Sequence, residues 1–308
     1  MNNFINYLVR DPALLYTQIV TGSHLPWGIF TVADQLLLGA LYDTFGECLR
    51  LAFEHGLGLE IQSFAYPEVL QGDWQGLLHV YRRAGLERLE GPLAMHGAFM
   101  DMSPGSADKL IREATLIRVR QSLDIAEILG VRTVVFHTNF IAAIQSVGYR
   151  YDWTQRNIDF WGPLAERAGR SGMVIALENM WEFEPDLIVD ILRAVDSPFL
   201  RACLDVGHSH LYSSVSFEAW LDVLQPYLVH LHLNNTDGSL DEHHALTDGV
   251  LDYRAILKRI RSLPVQPTMT LEMYHPADMQ ASLRYFDLST PRQAAPPFQD
   301  SYQIGIFF

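Results

Sequence analysis

GMVIALENMWEFEPDLIVDILRAVDSPFLRACLDVGHSH, residues 172–210, holds the pattern from which the fold follows. A glycine opens a short apolar run, 173–178, that ends in Glu178. The amphipathic stretch PDLIVDILRAV comes next, and a second apolar run, 201–205, ends in Asp205. Strand, helix and strand, with both strands apolar throughout rather than alternating, describe a parallel βαβ unit buried on both faces. A carboxylate at the end of each buried strand is costly unless something pairs with it. The two acids therefore need a common explanation.

The same unit recurs on either side. TFGECLRLAFEHG leads to GLEIQSF, and ADKLIREATLIRVRQSLDIAEILG ends in Gly130 and feeds VRTVVFH. Farther on, FEAWLDVLQ precedes LVHLHLNN, and YRAILKRIRS precedes TMTLEMY. Seven strands are expected, at 58–64, 93–97, 131–137, 173–178, 201–205, 228–234 and 268–273, with an eighth at YTQIVTG, 16–22. Eight strands alternating with helices make an α/β chain that closes into a (β/α)8 TIM barrel in preference to an open doubly wound sheet. No GxGxxG or GxxxxGK[ST] follows the early strands, which argues against a nucleotide-binding sheet. Residues 1–308 read as a single barrel domain with long βα loops at about 23–42 and 235–252. Such loops sit on the catalytic face. The tail 289–308 contains prolines and ends in apolar residues, as expected of a segment packed on the barrel or on a neighbouring subunit.

Composition narrows the partners. The chain has 308 residues, 49% hydrophobic and 19% charged, with a net charge of −14. Its only lysines are Lys109 and Lys258, so its surface repels phosphate backbones and nucleic acid is a poor partner. No apolar run reaches the ~20 residues that span a bilayer, and the first residues lack a signal-peptide pattern. The two cysteines, Cys48 and Cys203, have no CxxC spacing and read as reduced thiols of a cytoplasmic protein.

The third to eighth strands each end in a side chain able to bind metal: His96, His137, Glu178, Asp205, His232 and Glu272. These are the C-terminal ends, where a barrel builds its active site. His208 lies three residues after Asp205, one helical turn on, and Asp241 and His243 lie two apart in DEHH, where an extended loop would point both one way. A ligand set of N and O atoms without cysteine suits Zn²⁺, Mn²⁺, Fe²⁺ or Co²⁺ better than Mg²⁺. Singly, a strand-end histidine is more often an ordinary buried polar group, and Asp205 reads equally well as a helix cap. Their coincidence at one face points to a metal site. His230 faces inward with His232 and reads as core filling. His24, His55, His79, His210, His244 and His275 read as surface or supporting groups.

ALEN, LDVGH, LVHLHLNN, DEHHALTDG and TLEMY together resemble the xylose-isomerase-like TIM-barrel superfamily, over roughly residues 45–285. The group includes sugar isomerases and epimerases, dehydratases and endonuclease IV. The resemblance implies a shared metal site of Glu178, Asp205, His232 and Glu272. The endonuclease IV branch adds five ligands for a trinuclear zinc site, matched here by His96, His137, His208, Asp241 and His243. ALTDG departs from that branch's LGxG, and no basic loop able to grip a duplex is present.

Two chemistries follow. In the first, one divalent ion binds a sugar, sugar-phosphate or polyol substrate and stabilises an enediolate while Glu178 and Glu272 move the proton, an isomerase or epimerase of carbohydrate metabolism. His208 would hydrogen-bond a substrate oxygen, and Trp27, Phe30 and Trp181 would wall the site. In the second, two or three Zn²⁺ or Mn²⁺ ions use the whole ligand set to hydrolyse a phosphoester, with a related dehydratase as a further variant. A barrel that only binds a ligand is the remaining reading. The acidic, lysine-poor surface favours the small-molecule isomerase, with a homodimer as the default assembly.

Overall fold

The computed structural model describes residues 35–144 and 146–295. Eight parallel strands close in sequence order into a barrel: β1 (Leu36–Ala40), β2 (Gly58–Ile61), β3 (Leu93–His96), β4 (Thr133–His137), β5 (Val174–Glu178), β6 (Leu200–Asp205), β7 (Leu228–Leu233) and β8 (Thr268–Leu271). The helices are α1 (Phe45–His55), α2 (Pro67–Gln71), α3 (Trp74–Arg83), α4 (Lys109–Leu129) and α5 (Val147–Arg170), then α6 (Asp186–Val195), α7 (Val206–Leu211), α8 (Phe217–Leu224), α9 (Tyr253–Arg261) and α10 (Pro276–Ser282). No helix among the described residues is long and apolar enough to cross a membrane.

Local chemistry sets the element ends. Asp108, Ser146, Ser216 and Asp252 cap α4, α5, α8 and α9 by accepting backbone N–H bonds. Gly56 and Gly130 end α1 and α4 at φ 69° and 74°, a left-handed turn that costs glycine little. Each strand then leaves its helix as a short apolar run buried on both sides.

One expectation fails. The first strand is Leu36–Ala40, paired to β2 and β8, and not 16–22. It lies inside the stretch 23–42 that reads as a βα loop, while 16–22 falls outside the described residues. LLLGA is leucine-rich and five residues long, and periodicity cannot separate so short an apolar run from a loop or helix fragment. Pairing to strands at both ends of the chain is what makes it a strand.

Two apolar regions result. A large core fills the space between barrel and helices, whereas Val135, Val174, Ala176 and Cys203 form a small separate cluster with Val229. Val135 precedes His137 by two, Ala176 precedes Glu178 by two and Cys203 precedes Asp205 by two, so these small residues line the barrel below the strand-end polar groups. Next to this cluster, from β7 round to β2, the barrel carries Glu60, His230, His232 and Thr270, all fully buried.

Candidate metal centre

Among the described residues five groups of ligand atoms lie close together: Glu60, His230 and His232; Glu178, Cys203 and His232; and three built from the candidate ligands. Of these three, His96, His137 and Glu178 form one, and Glu178, Asp205, His232 and Glu272 a second. His208, Asp241 and His243 form the third. Glu178 belongs to two of the three. All nine residues singled out as metal ligands are thus brought into one region.

The helix and loop after each strand set these side chains. Asp205 caps α7: its Oδ1 accepts from the His208 backbone N–H at 2.6 Å, and its Oδ2 accepts from Asn234 Nδ2 at 2.7 Å. The cap reading and the ligand-cluster reading of Asp205 therefore coexist. Gly207, inside that turn, has to be glycine, because a Cβ would stand 2.0 Å from Asn234 Oδ1. Asp241 and His243 sit in the link between β7 and α9, residues 234–252. They face one another at 3.2 Å, and Asp241 reaches His208 Nε2 at 3.1 Å. They do so through a left-handed residue rather than a fully extended loop, since His243 has φ 51°.

The histidines are oriented by their other ring nitrogen. A carbonyl can only accept, so His96 Nδ1 donates to Gly97 O at 2.9 Å, His208 Nδ1 to Asn179 O at 2.9 Å and His243 Nδ1 to Glu272 O at 2.8 Å. Each thereby turns its Nε2 into the clusters, and the Nε2 atoms of His208 and His243 both meet the Asp241 carboxylate. His96 Nε2 and His137 Nε2 stand 3.2 Å apart and lie 3.4 and 3.3 Å from Glu178 Oε2. His232 Nδ1 lies 3.0 Å from both Glu178 Oε1 and Glu272 Oε2.

These groups fit a divalent cation on two observations. Glu178 Oε2, Asp241 Oδ1, Glu272 Oε2 and His137 Nδ1 are buried without a hydrogen bond, and three of the four are carboxylate oxygens of the clusters. An unsatisfied buried carboxylate oxygen needs a counter-charge. Secondly, ligand atoms around a tetrahedral Zn²⁺ with bonds of about 2.0–2.2 Å stand roughly 3.3–3.6 Å apart, close to the separations around Glu178 Oε2.

Charge in the site is skewed negative. Burial works against the charge on Glu178, but the imidazoles of His137 and His232 hold it well below the usual carboxylate range. Burial pushes Asp205 up to about 6, with His208 opposing and Glu178 and Glu272 adding to the rise. Burial first, and the neighbouring acids second, thus drive one carboxyl toward neutrality, and no lysine or arginine lines the cavity at these strand ends.

That cavity, about 100 Å³, is lined by Gln62, Tyr66, Phe99, Met180, Tyr274 and all the cluster side chains except Asp205 and His232, which lie beneath it. Gln62 donates to Glu272 Oε1 at 2.6 Å and so steers Oε2. Trp181 does not wall it: the side chain is 40% exposed and the adjacent Met180 takes the position. Trp27 and Phe30 lie outside the described residues. His210, His79 and His275 are exposed, and His244 pairs with Glu242 at the rim. His55, read as a surface or supporting group, is instead buried at the end of α1.

The reading of the sequence passed over Glu60 and Gln62. Both belong to GLEIQSF, where two polar residues two apart in an apolar strand signal one shared face. Glu60 lies under His232, and His230 is no plain core filler, since it bonds Glu60 at 2.9 Å and Thr270 at 3.0 Å.

A family model described as xylose isomerase-like TIM barrel matches residues 51–288. The Methanocaldococcus jannaschii protein MJ1311 is 24% identical over 193 residues, 60% of this chain and 66% of its own length. A second protein of that organism, MJ1614, is likewise matched over 66% of its length. Among solved structures, Thermus thermophilus TTHB071, soaked with ZnCl2, superposes with a TM-score of 0.69 at 29% identity, covering 82% of this chain and 96% of that one. A D-tagatose 3-epimerase-like protein superposes with a TM-score of 0.67 at 21% identity, over the same shares.

Proposed function

From the premise that this chain belongs to the xylose isomerase-like TIM-barrel family, we propose that it is a divalent-metal-dependent isomerase or epimerase of a small, sugar-like substrate. One observation carries the reading: Glu178 and Glu272 line the same small cavity, each with an oxygen that makes no hydrogen bond. The epimerase likeness of a structural neighbour agrees with it.

A cation held by Glu178, Asp205, His232 and Glu272 would supply Lewis acidity, making a C–H beside a substrate carbonyl easier to deprotonate. The chain's own groups do the rest. Glu272 Oε2 is a base whose partner oxygen is tied by Gln62, so its orientation is set before substrate arrives. Glu178 Oε2 is the second proton carrier, able to return the proton at a neighbouring carbon or from the opposite side. His208 donates to a substrate oxygen from the rim, while Tyr66, Phe99 and Tyr274 limit water in the cavity.

A second reading rests on a specific feature. Glu178 Oε2 faces His96 and His137, so a cation in that group would occupy the oxygen that the first reading needs as a base. With all three groups loaded, the site suits phosphoester hydrolysis better than proton transfer. The substrate separates the two. Ketohexoses incubated with the zinc- or manganese-loaded protein in D2O should gain deuterium at the inverted or adjacent carbon. Glu178→Gln and Glu272→Gln should each lower that rate by about 10²–10⁴-fold. Hydrolysis of bis-p-nitrophenyl phosphate with no deuterium uptake from a sugar panel, at three ions per chain, would establish the hydrolase instead.

A further inference from the structure

Four imidazoles of the clusters turn one nitrogen inward and anchor the other on an acceptor. Three of those acceptors are backbone carbonyls. The fourth is a carboxylate: His232 Nε2 lies 3.1 Å from both oxygens of Glu60. Glu60, on β2, has no exposed surface. Its Oε2 accepts from the Thr270 hydroxyl at 2.6 Å and from His230 Nε2 at 2.9 Å, and His230 Nδ1 is in turn 2.5 Å from Thr268 Oγ1. Glu60, His230 and His232 stand close enough to share an ion, but every polar atom of this network already has a partner, which fits a completed support.

A backbone carbonyl suffices to fix an imidazole tautomer, as His96, His208 and His243 show. A carboxylate buried at the same task costs more and has to do more. We propose that Glu60 is a positioning residue for the metal centre: it takes the Nε2–H of His232, presents Nδ1 toward Glu178 and Glu272, and through its negative charge makes that nitrogen a stronger donor to the cation. His230 and Thr270 keep the carboxylate from rotating away. The inference rests on the metal reading of the site.

Zinc affinity of the intact, metal-free chain, measured by competition with a chelator, tests it. Glu60→Ala should weaken one zinc per chain by about 10–100-fold, and Glu60→Gln by less, since its amide oxygen still accepts the N–H without the charge. Nitrogen-15 histidine spectra of the zinc-loaded Glu60→Gln protein should keep His232 protonated at Nε2. Affinities of both variants within twofold of the unaltered chain overturn the inference, even where thermal stability falls, because a merely structural role lowers stability alone. Should Glu60→Ala fail to fold, Glu60→Gln decides by the same criterion. An unaltered chain that takes up no zinc or manganese overturns the metal reading and this inference together, whereas normal uptake with unchanged variants overturns only the inference.

Discussion

At the residue scale, acids hold His208, His232 and His243 charged in the metal-free site, while burial pushes His137 down to about 3 and keeps it neutral. Burial opposes a proton on His243, yet the hydrogen bond to Asp241 and the charge of Glu272 push it up to about 9. His208 and His232 are shifted upward as well, against burial, by Asp205 and Asp241 in one case and by Cys203, Glu178 and Glu272 in the other. The unfolded chain releases these protons near pH 6.5 while the folded chain keeps them. The stability His243 contributes is complete below about pH 6.5 and is lost as pH rises through about 9, and the upward shifts of His208 and His232 act in the same direction. Urea titrations in chelator should therefore show the metal-free protein losing on the order of 1–3 kcal/mol between those values. Stability that held level or rose across that window would contradict the assignment. Cation binding requires the inward nitrogens bare, so the loaded protein should show the opposite slope. Which residues these are was legible in the chain, because strand-end His, Asp and Glu stand out against apolar runs. Their tautomers were not, since those depend on carbonyls such as Asn179 O that come from other strands.

At the element scale, the link 234–252 carries two of the nine candidate ligands without helix or strand of its own. Asn235 laces it. Its Nδ2 donates to Leu246 O and Leu251 O, and its Oδ1 accepts from the backbone N–H groups of Thr236 and Leu251. A buried backbone group left without a partner costs about 1–3 kcal/mol, so Asn235→Ala should cost at least that much stability. It should also weaken metal uptake by the His208–Asp241–His243 group while sparing the Glu178–His232 group. Elemental analysis after dialysis against graded chelator reads this as one ion lost early. Loss of all ions together would mean that the groups do not behave as separate sites. The length of the link could be read from the chain, but the left-handed backbone at His243 and the bonds of Asn235 could not, because three of its four bonds join positions 11 or 16 residues apart. β1 failed for a related reason: nothing within LLLGA declares a strand, and its partners lie in β2 and β8.

At the scale of the whole molecule, the barrel closes on itself and joins eight strand ends into one centre, so a ligand there stabilises the folded state as a unit. Zinc at about 100 times its dissociation constant should add about 2.7 kcal/mol per independent site, seen as a rise of several degrees in melting temperature and reversed by chelator. An unchanged melting temperature would argue against cation binding by the native fold. The chain alone carried the βα period, seven of the eight barrel strands and the types of residue at their ends, because these depend on patterns a few residues long. Closure through β1, the sharing of Glu178 between two groups, the cavity walled by Tyr66, Phe99 and Tyr274, and Glu60 beneath His232 came from three-dimensional packing. Glu60 and His232 are 172 residues apart, and no local pattern states that two such positions meet; only closure of the cylinder, which joins β7 to β2 through β8 and β1, brings them together.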